Sequence, residues 1–293
     1  GGRMFSLIAS ILIDGISYGL VLFMVSVGLT VTLGLMRFVN LAHGTFAMIG
    51  GYAAATAITA LGLPYGLALI CAALAAGAIA YGLEIALIRR LYHRPELDQV
   101  LLTIGLVFMG IALSGMMFGN SLVPVRLPEF LKGATDLGFR QVPTQRFVPL
   151  VLGLATLIGI WLLFERTRFG IRLRATVDNP RAAGELGINT RRIYAAAFAI
   201  GAALAGLGGV AGAELLPVEP YYPLKYLVLF LAVVAVGGPG NMLGSFVAAL
   251  LLGTVETAGK YLAPDFATIA LYALMLLVLS WRPEGLFRRT SKT

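Results

Sequence analysis

Phe147-Val-Pro-Leu-Val-Leu-Gly-Leu-Ala-Thr-Leu-Ile-Gly-Ile-Trp-Leu-Leu-Phe164 runs for 18 residues without a charge, between Arg146 on one side and Glu165-Arg166 on the other. A helix rises about 1.5 Å per residue, so roughly 20 apolar residues cross the hydrocarbon of a bilayer. The same pattern recurs at 44–61, 66–87, 99–118, 193–216, 245–261 and 266–281. The apolar run at 5–35 is too long for one crossing unless its start lies in the interface or Asp14 divides it. Residues 226–236 are apolar over only about half a bilayer, and Gly237-Gly238-Pro239-Gly240-Asn241 interrupts them. The reading is an all-α polytopic membrane protein, some of its spans broken. It has nine spans if the Gly-rich break is a turn, and eight if two half-helices form one broken span. A β-barrel would show roughly ten-residue segments of alternating polarity, and none occurs.

Composition agrees with lipid as solvent. Of the 293 residues 59% are apolar and 12% charged, and the mean hydropathy is +0.89. An average soluble domain is about half apolar and a quarter charged, so soluble enzymes, nucleic-acid readers and disordered chains are disfavoured. The formal charge of +8 would point to nucleic acid in a soluble protein. Here fourteen of the 22 Lys and Arg residues fall at 89–94, 166–192 and 282–292, segments that can all face one side of a membrane. Basic enrichment marks the inner face. The loop at 119–146 is then external, the N-terminus outside and the C-terminus cytoplasmic. Residues 1–3 precede Met4 and read as an expression remnant, leaving 4–293 as one transmembrane domain with a cytoplasmic loop at 165–192. Cys71 is the single cysteine, so no internal disulfide forms.

Catalytic motifs are missing. The one Gly-Lys pair, Gly259-Lys260, continues with Tyr261, so the chain has no P-loop. Gly238-Pro239-Gly240 with Gly244 has the wrong spacing for a dinucleotide turn. Two histidines and one cysteine, far apart, assemble no zinc site. Ser114 and His43 would have to meet for an intramembrane protease, and the bland reading of a packing serine and a loop histidine is favoured. No catalytic residue, metal or cofactor is assigned to this chain.

Three features carry more. In residues 193–213, Gly201, Ala205, Gly209 and Ala213 recur every four residues, a stripe that lets helix backbones approach closely. Intrachain packing and a subunit interface both fit it. The second is a pair of interruptions, Arg37-Phe-Val-Asn40-Leu-Ala-His43-Gly44 and Gly237 to Gly244, in corresponding places of two halves. Such breaks point to a transport pathway, with plain cytoplasmic turns as the alternative. Asn40, His43, Gly44, Gly237, Gly238, Gly240 and Asn241 are therefore candidate pathway residues. Glu84 and Glu256 join them, because a charge within a span costs about 2.5–3.5 kcal/mol and is retained for a reason. Local pairing and snorkelling are the alternatives, and Asp14 reads as interfacial.

The third is Asp178-Asn179-Pro180-Arg181-Ala182-Ala183-Gly184-Glu185-Leu186-Gly187. Asn179 suits the N-cap, Pro180 the first helical position, and Gly187 the left-handed residue that ends a helix. Two turns result, with Ala182, Ala183 and Leu186 as an apolar face and Arg181 and Glu185 as an i,i+4 pair. The stretch reads as a docking helix for a partner's groove. On that reading an arginine at Ala183 leaves insertion intact and abolishes attachment of the partner.

Residues 29–52, 166–193 with the small-residue helix after them, 233–256 and the closing Trp281-Arg282-Pro283-Glu284-Gly285-Leu286-Phe287 resemble permease subunits of branched-chain amino acid ABC importers, the LivH type. The resemblance implies a bacterial inner-membrane permease paired with a second, LivM-type permease. It also implies two ATPase subunits carrying the ATP and Mg, and a periplasmic solute-binding protein. Asn179 to Gly187 would be the coupling helix on an ATPase, and the cargo a branched-chain or other hydrophobic amino acid. The family also includes urea, amide and organic-acid permeases. The rival class is a self-sufficient secondary transporter or channel, which dense intramembrane ion pairs would favour. No nucleic-acid partner is expected; membrane lipid is.

Overall fold

A computed structural model describes residues 2–138 and 140–287 of the chain. Gly1 and the 288–292 part of the basic tail lie outside the described residues. The helices are α1 (Gly2–Thr30), α2 (His43–Thr59), α3 (Tyr65–Ala86), α4 (Glu96–Phe118), α5 (Phe147–Arg166), α6 (Arg168–Asp178), α7 (Pro180–Glu185), α8 (Thr190–Ala211), α9 (Tyr222–Lys225), α10 (Leu227–Gly237), α11 (Met242–Leu262) and α12 (Ala267–Trp281). Between α4 and α5 lies a small antiparallel hairpin, β1 (Ala134–Asp136) on β2 (Gln141–Pro143), with Thr135 opposite Val142. Among the described residues, seven helices are long and apolar enough to cross a membrane, one of them a continuous Met4–Leu35. The helix therefore passes through Asp14 undivided, and its backbone already starts at Gly2, inside the stretch read as a remnant. The protein is an all-α multi-pass membrane protein.

The bundle has two distinguishable ends. At one, Tyr92 lies 5.1 Å from Tyr194 between ring centroids, the Tyr194 hydroxyl donates to the Thr176 carbonyl at 3.3 Å, and Asn241 Nδ2 donates to the Phe287 carbonyl at 3.2 Å. This basic end gathers the 87–95 turn, α6, α7, the 238–241 turn and residues 282–287. At the other, Val123 pairs with Val218. Asp14, buried on α1, is held there by Arg140 at 3.1 Å, Arg146 at 3.6 Å and the Tyr261 hydroxyl at 2.6 Å. The 119–146 loop is thus clamped to α1 and α11. Burial raises the nearby Glu214 carboxyl, against the lowering pull of Arg146.

Glycine contacts set the core. A Cβ on Gly28 would strike the Gly201 carbonyl and His43; one on Gly50 would strike the Gly206 backbone, and one on Gly209 the Ala47 carbonyl. The small-residue stripe, with Ala205 fully buried on α8 and half-buried Ala213 just past the helix's end, thus packs α8 on α1, α2 and α3 within the chain. On the other side of α1, Gly19 of α1 and Gly253 of α11 bring the two helix backbones into contact. A buried hydrogen bond of 2.6 Å joins Thr30 to Ser245. Between closely approached helices, dispersion and such bonds replace the hydrophobic drive that lipid cannot supply.

Candidate functional site

Two chain breaks meet inside the bundle. Helix α1 ends in a wider π-turn at Val31–Leu35, and Arg37 follows at φ 52°, the one positive φ outside glycine among the described residues. Residues 36–42 then lead back into the bundle. His43 Nε2 lies 2.7 Å from the Val25 carbonyl, ten residues and about 15 Å along α1 from Leu35. Helix α2 accordingly begins at mid-depth. Asn40 is buried there, its Oδ1 accepting the Ala42 N–H at 3.1 Å and its Nδ2 without a partner. A Cβ on Gly44 would sit 3.2 Å from the Pro223 Cα.

The break facing 37–44 is therefore the irregular stretch from 212 to 226; of the two readings of 237–244, broken span or plain turn, the turn is the one formed. Gly238 and Gly240, at φ 92° and 80°, form a turn at the basic end, and Gly237 packs on the Gly244 backbone as α10 folds back on α11. Asn241 accepts the Gly244 N–H at 2.8 Å as N-cap of α11. Gly240 and Asn241 also line a cavity of about 740 Å³ between α5 and the start of α11, with Trp161, Phe164, Arg166 and Arg174.

Charge is concentrated beside the second break. With 11 residues, α10 is about 16 Å long, so Lys225 stands near mid-depth. Its ammonium pairs with Glu219 at 2.6 Å and lies 5.4 Å from the Tyr226 ring centre, with half of the side chain exposed. Glu256, fourteen residues along α11 from Met242, reaches a similar level, about 21 Å from the basic end. It pairs with Lys260 at 2.8 Å; the Lys260 ammonium lies 4.9 Å from the Tyr18 ring centre, and the Tyr18 phenol borders Glu256. Tyr222 is fully buried, 4.8 Å from Tyr226 between ring centres, and its hydroxyl has no partner. Charges within a span face water or protein, never bare lipid. Of this group only Glu256 was legible in the sequence. Lys225 signals itself only in retrospect, as the charge immediately before an apolar half-span.

Glu84, fully buried on α3, is paired locally: Arg89 donates to it at 2.9 Å and the Tyr92 hydroxyl at 3.2 Å. That arrangement ties down the 87–95 turn. No group of His, Cys, Asp and Glu that could hold a metal occurs among the described residues.

In the 165–192 loop, Asn179 accepts the Ala182 N–H at 3.0 Å, and Pro180 occupies the first helical position. Gly187 adopts φ 80°; the bonds Ile188 N–H to Ala183 C=O and Gly187 N–H to Gly184 C=O, both 3.0 Å, complete a Schellman cap. Asp178 precedes the cap and is exposed. Arg181 and Glu185 approach to 3.7 Å but stay exposed, so the pair adds little. The expected apolar face divides: Ala183 is buried against the chain itself, Ala182 is exposed, and Leu186 is 81% exposed. A helix of six residues carries too few apolar positions to present one face outward and anchor itself too. An arginine at Ala183 would therefore break this local packing first, and Leu186 is the outward apolar residue.

The family model for the permease component of the branched-chain amino acid transport system matches residues 11–279. The chain is 27% identical to the high-affinity branched-chain amino acid transport permease LivH of Escherichia coli K12, over 94% of each chain. It is 29% identical to BraD of Pseudomonas aeruginosa, over 95% of each. It is 28% identical to the E. coli permease LivM, covering 95% of this chain and 70% of LivM. No solved structure matches. The matched region takes in every residue of the polar band, the facing breaks and the capped helix, and it describes a transport subunit rather than an enzyme. The chain belongs to the branched-chain amino acid transport permease family.

Proposed function

We propose that this chain is a permease subunit of an ATP-binding-cassette importer that moves branched-chain or other hydrophobic amino acids across the bacterial inner membrane. Residues 4–293 act as one transmembrane domain, with the basic end and the C-terminus in the cytoplasm and the 119–146 loop and the N-terminus outside. It pairs with a LivM-type permease, so that the solute passes between the two. A periplasmic binding protein delivers the solute. Two ATPase subunits supply the nucleotide chemistry that the chain lacks, with ATP and Mg held on them.

One observation carries the coupling part: α7 is capped at both ends by its own residues yet projects Leu186 into solvent. An isolated two-turn helix is unstable in water, so such a helix needs its caps and a groove to persist. Closure of the ATPases displaces α7, and α6 and α8 pass the displacement on. The backbone contacts of α8 with α1 and α2 transmit it to the two facing breaks. The coupling exists only if α7 binds its groove with different strength in the two states. The test is Leu186→Glu, purified with the partner permease and the ATPases. Expected are normal insertion and pairing with the second permease, and loss of the ATPases and of ATP-dependent uptake. Retained ATPases and uptake would overturn the coupling assignment.

A further inference from the structure

We propose that Lys225 and Glu256, together with Tyr18, Tyr222 and Tyr226, form a recognition site for a zwitterion, in which Lys225 takes the solute's carboxylate and Glu256 its ammonium. The inference rests on the permease reading above and gives its pathway a chemistry.

The site comprises two similar units. Lys225 with Glu219 and Tyr226 comes from the irregular stretch before α10; Lys260 with Glu256 and Tyr18 comes from α11 and α1. Each unit is neutral and puts an ammonium over a tyrosine ring; Lys225 and Glu256 lie at similar depth, and Lys260 stands nearer the Asp14-clamped end, beside Tyr261. Two cations and two anions sum to zero, which suits a solute carrying one charge of each sign and disfavours a net anion or cation.

The position of Lys225 is the physical problem that the site solves. A lysine half exposed at mid-depth in lipid is costly, while a water-filled passage relieves it. Irregular backbone at that depth is likewise tolerated only beside a cavity or buried in protein. The exposed Lys225 therefore marks the passage. Its present partner, Glu219, is on its own segment six residues away, so a carboxylate entering the passage can share the ammonium without breaking a distant contact.

Tyr222 supplies the independent observation. Its side chain is wholly buried and its hydroxyl lacks any partner, although a buried polar group left unsatisfied costs about 1–3 kcal/mol. It meets Tyr226 edge to face, and Tyr226 interacts electrostatically with Lys225 and Glu219 on one side and Glu256 on the other. A bound carboxylate or ammonium gives that hydroxyl the bond it lacks.

The permease pair with its ATPases, in nanodiscs and without the binding protein, is tested for binding of tritiated L-leucine by scintillation proximity. Competitors are leucinamide, which lacks the carboxylate, 4-methylpentanoate, which lacks the amine, and urea. A charged hydrogen bond is worth about 1.5–3 kcal/mol, so both single-charge analogues should compete at least roughly tenfold more weakly than leucine. Lys225→Met should weaken leucine by a similar factor and close its gap to leucinamide; Glu256→Gln should do so for 4-methylpentanoate. Both variants should keep the partner permease and also the ATPases, which the Leu186→Glu variant loses. Absence of saturable leucine binding, equal competition by urea, or unchanged variants would overturn the proposal. Loss of the partner permease in either variant would assign these charges to the subunit interface and overturn it equally.

Discussion

Gly34 has no room for a methyl group, since a Cβ there would fall on the Gly240 backbone. The close approach locks the end of α1 to the turn that joins α10 and α11. Gly34→Ala should destabilise the protein by about 1–3 kcal/mol or more, because rigid backbone has to shift. Gly66→Ala, where nothing lies within 4 Å, is the matched control. Thermal unfolding in detergent should separate the two; equal midpoints would contradict the packing. Sequence reading at this scale succeeds where chemistry is local. Asn179, Pro180 and Gly187 announce their capping roles through their own backbone preferences, and the structure forms those caps. It fails where a partner is remote. Nothing near Asp14 in the chain indicates that Arg140, Arg146 and Tyr261 close around it.

At the scale of elements, the interruptions divide into two kinds. The glycines at 237–240 leave a plain turn and a broken span both open, and the positive φ of Gly238 and Gly240 serves a tight turn at the basic end. The other break is the irregular stretch 212–226, which runs from the Asp14-clamped end, where Val218 pairs with Val123, to mid-depth at Lys225; Pro217, Pro220 and Pro223 and the short α9 prevent a continuous helix there. Glycine and proline both punctuate a helix, and only three-dimensional depth separates a turn from a passage. The stripe in α8 was ambiguous for a similar reason, since a close-packing surface does not name its partner. For α7 the prediction concerns the cap. Replacing an N-cap asparagine by alanine costs about 1 kcal/mol. Asn179→Ala should therefore lower amide-exchange protection across α7 roughly fivefold and reduce uptake without removing the protein from the membrane. Unchanged protection would mean that the cap does not stabilise the helix.

Across the whole molecule, the charge pattern and the contacts agree on two unlike ends. The basic 87–95 turn, α6 and α7 collect at one, and the Asp14-clamped 119–146 loop sits at the other. That division was legible because inner-face charge and span length are properties of long stretches, averaged over many residues. The polar band was not, because Lys225, Tyr18 and Glu256 come from segments far apart in sequence and single charges carry no pairing information. The central claim is that α7 is a cytosolic handle for a separate motor. The most direct test is labelling of Leu186→Cys in a Cys71→Ser background with a membrane-impermeant maleimide, with Leu137→Cys in the 119–146 loop as the opposite reference. In intact spheroplasts Leu137→Cys should label and Leu186→Cys should stay unmodified until the membrane is permeabilised; labelling of Leu186→Cys in intact spheroplasts would contradict the account.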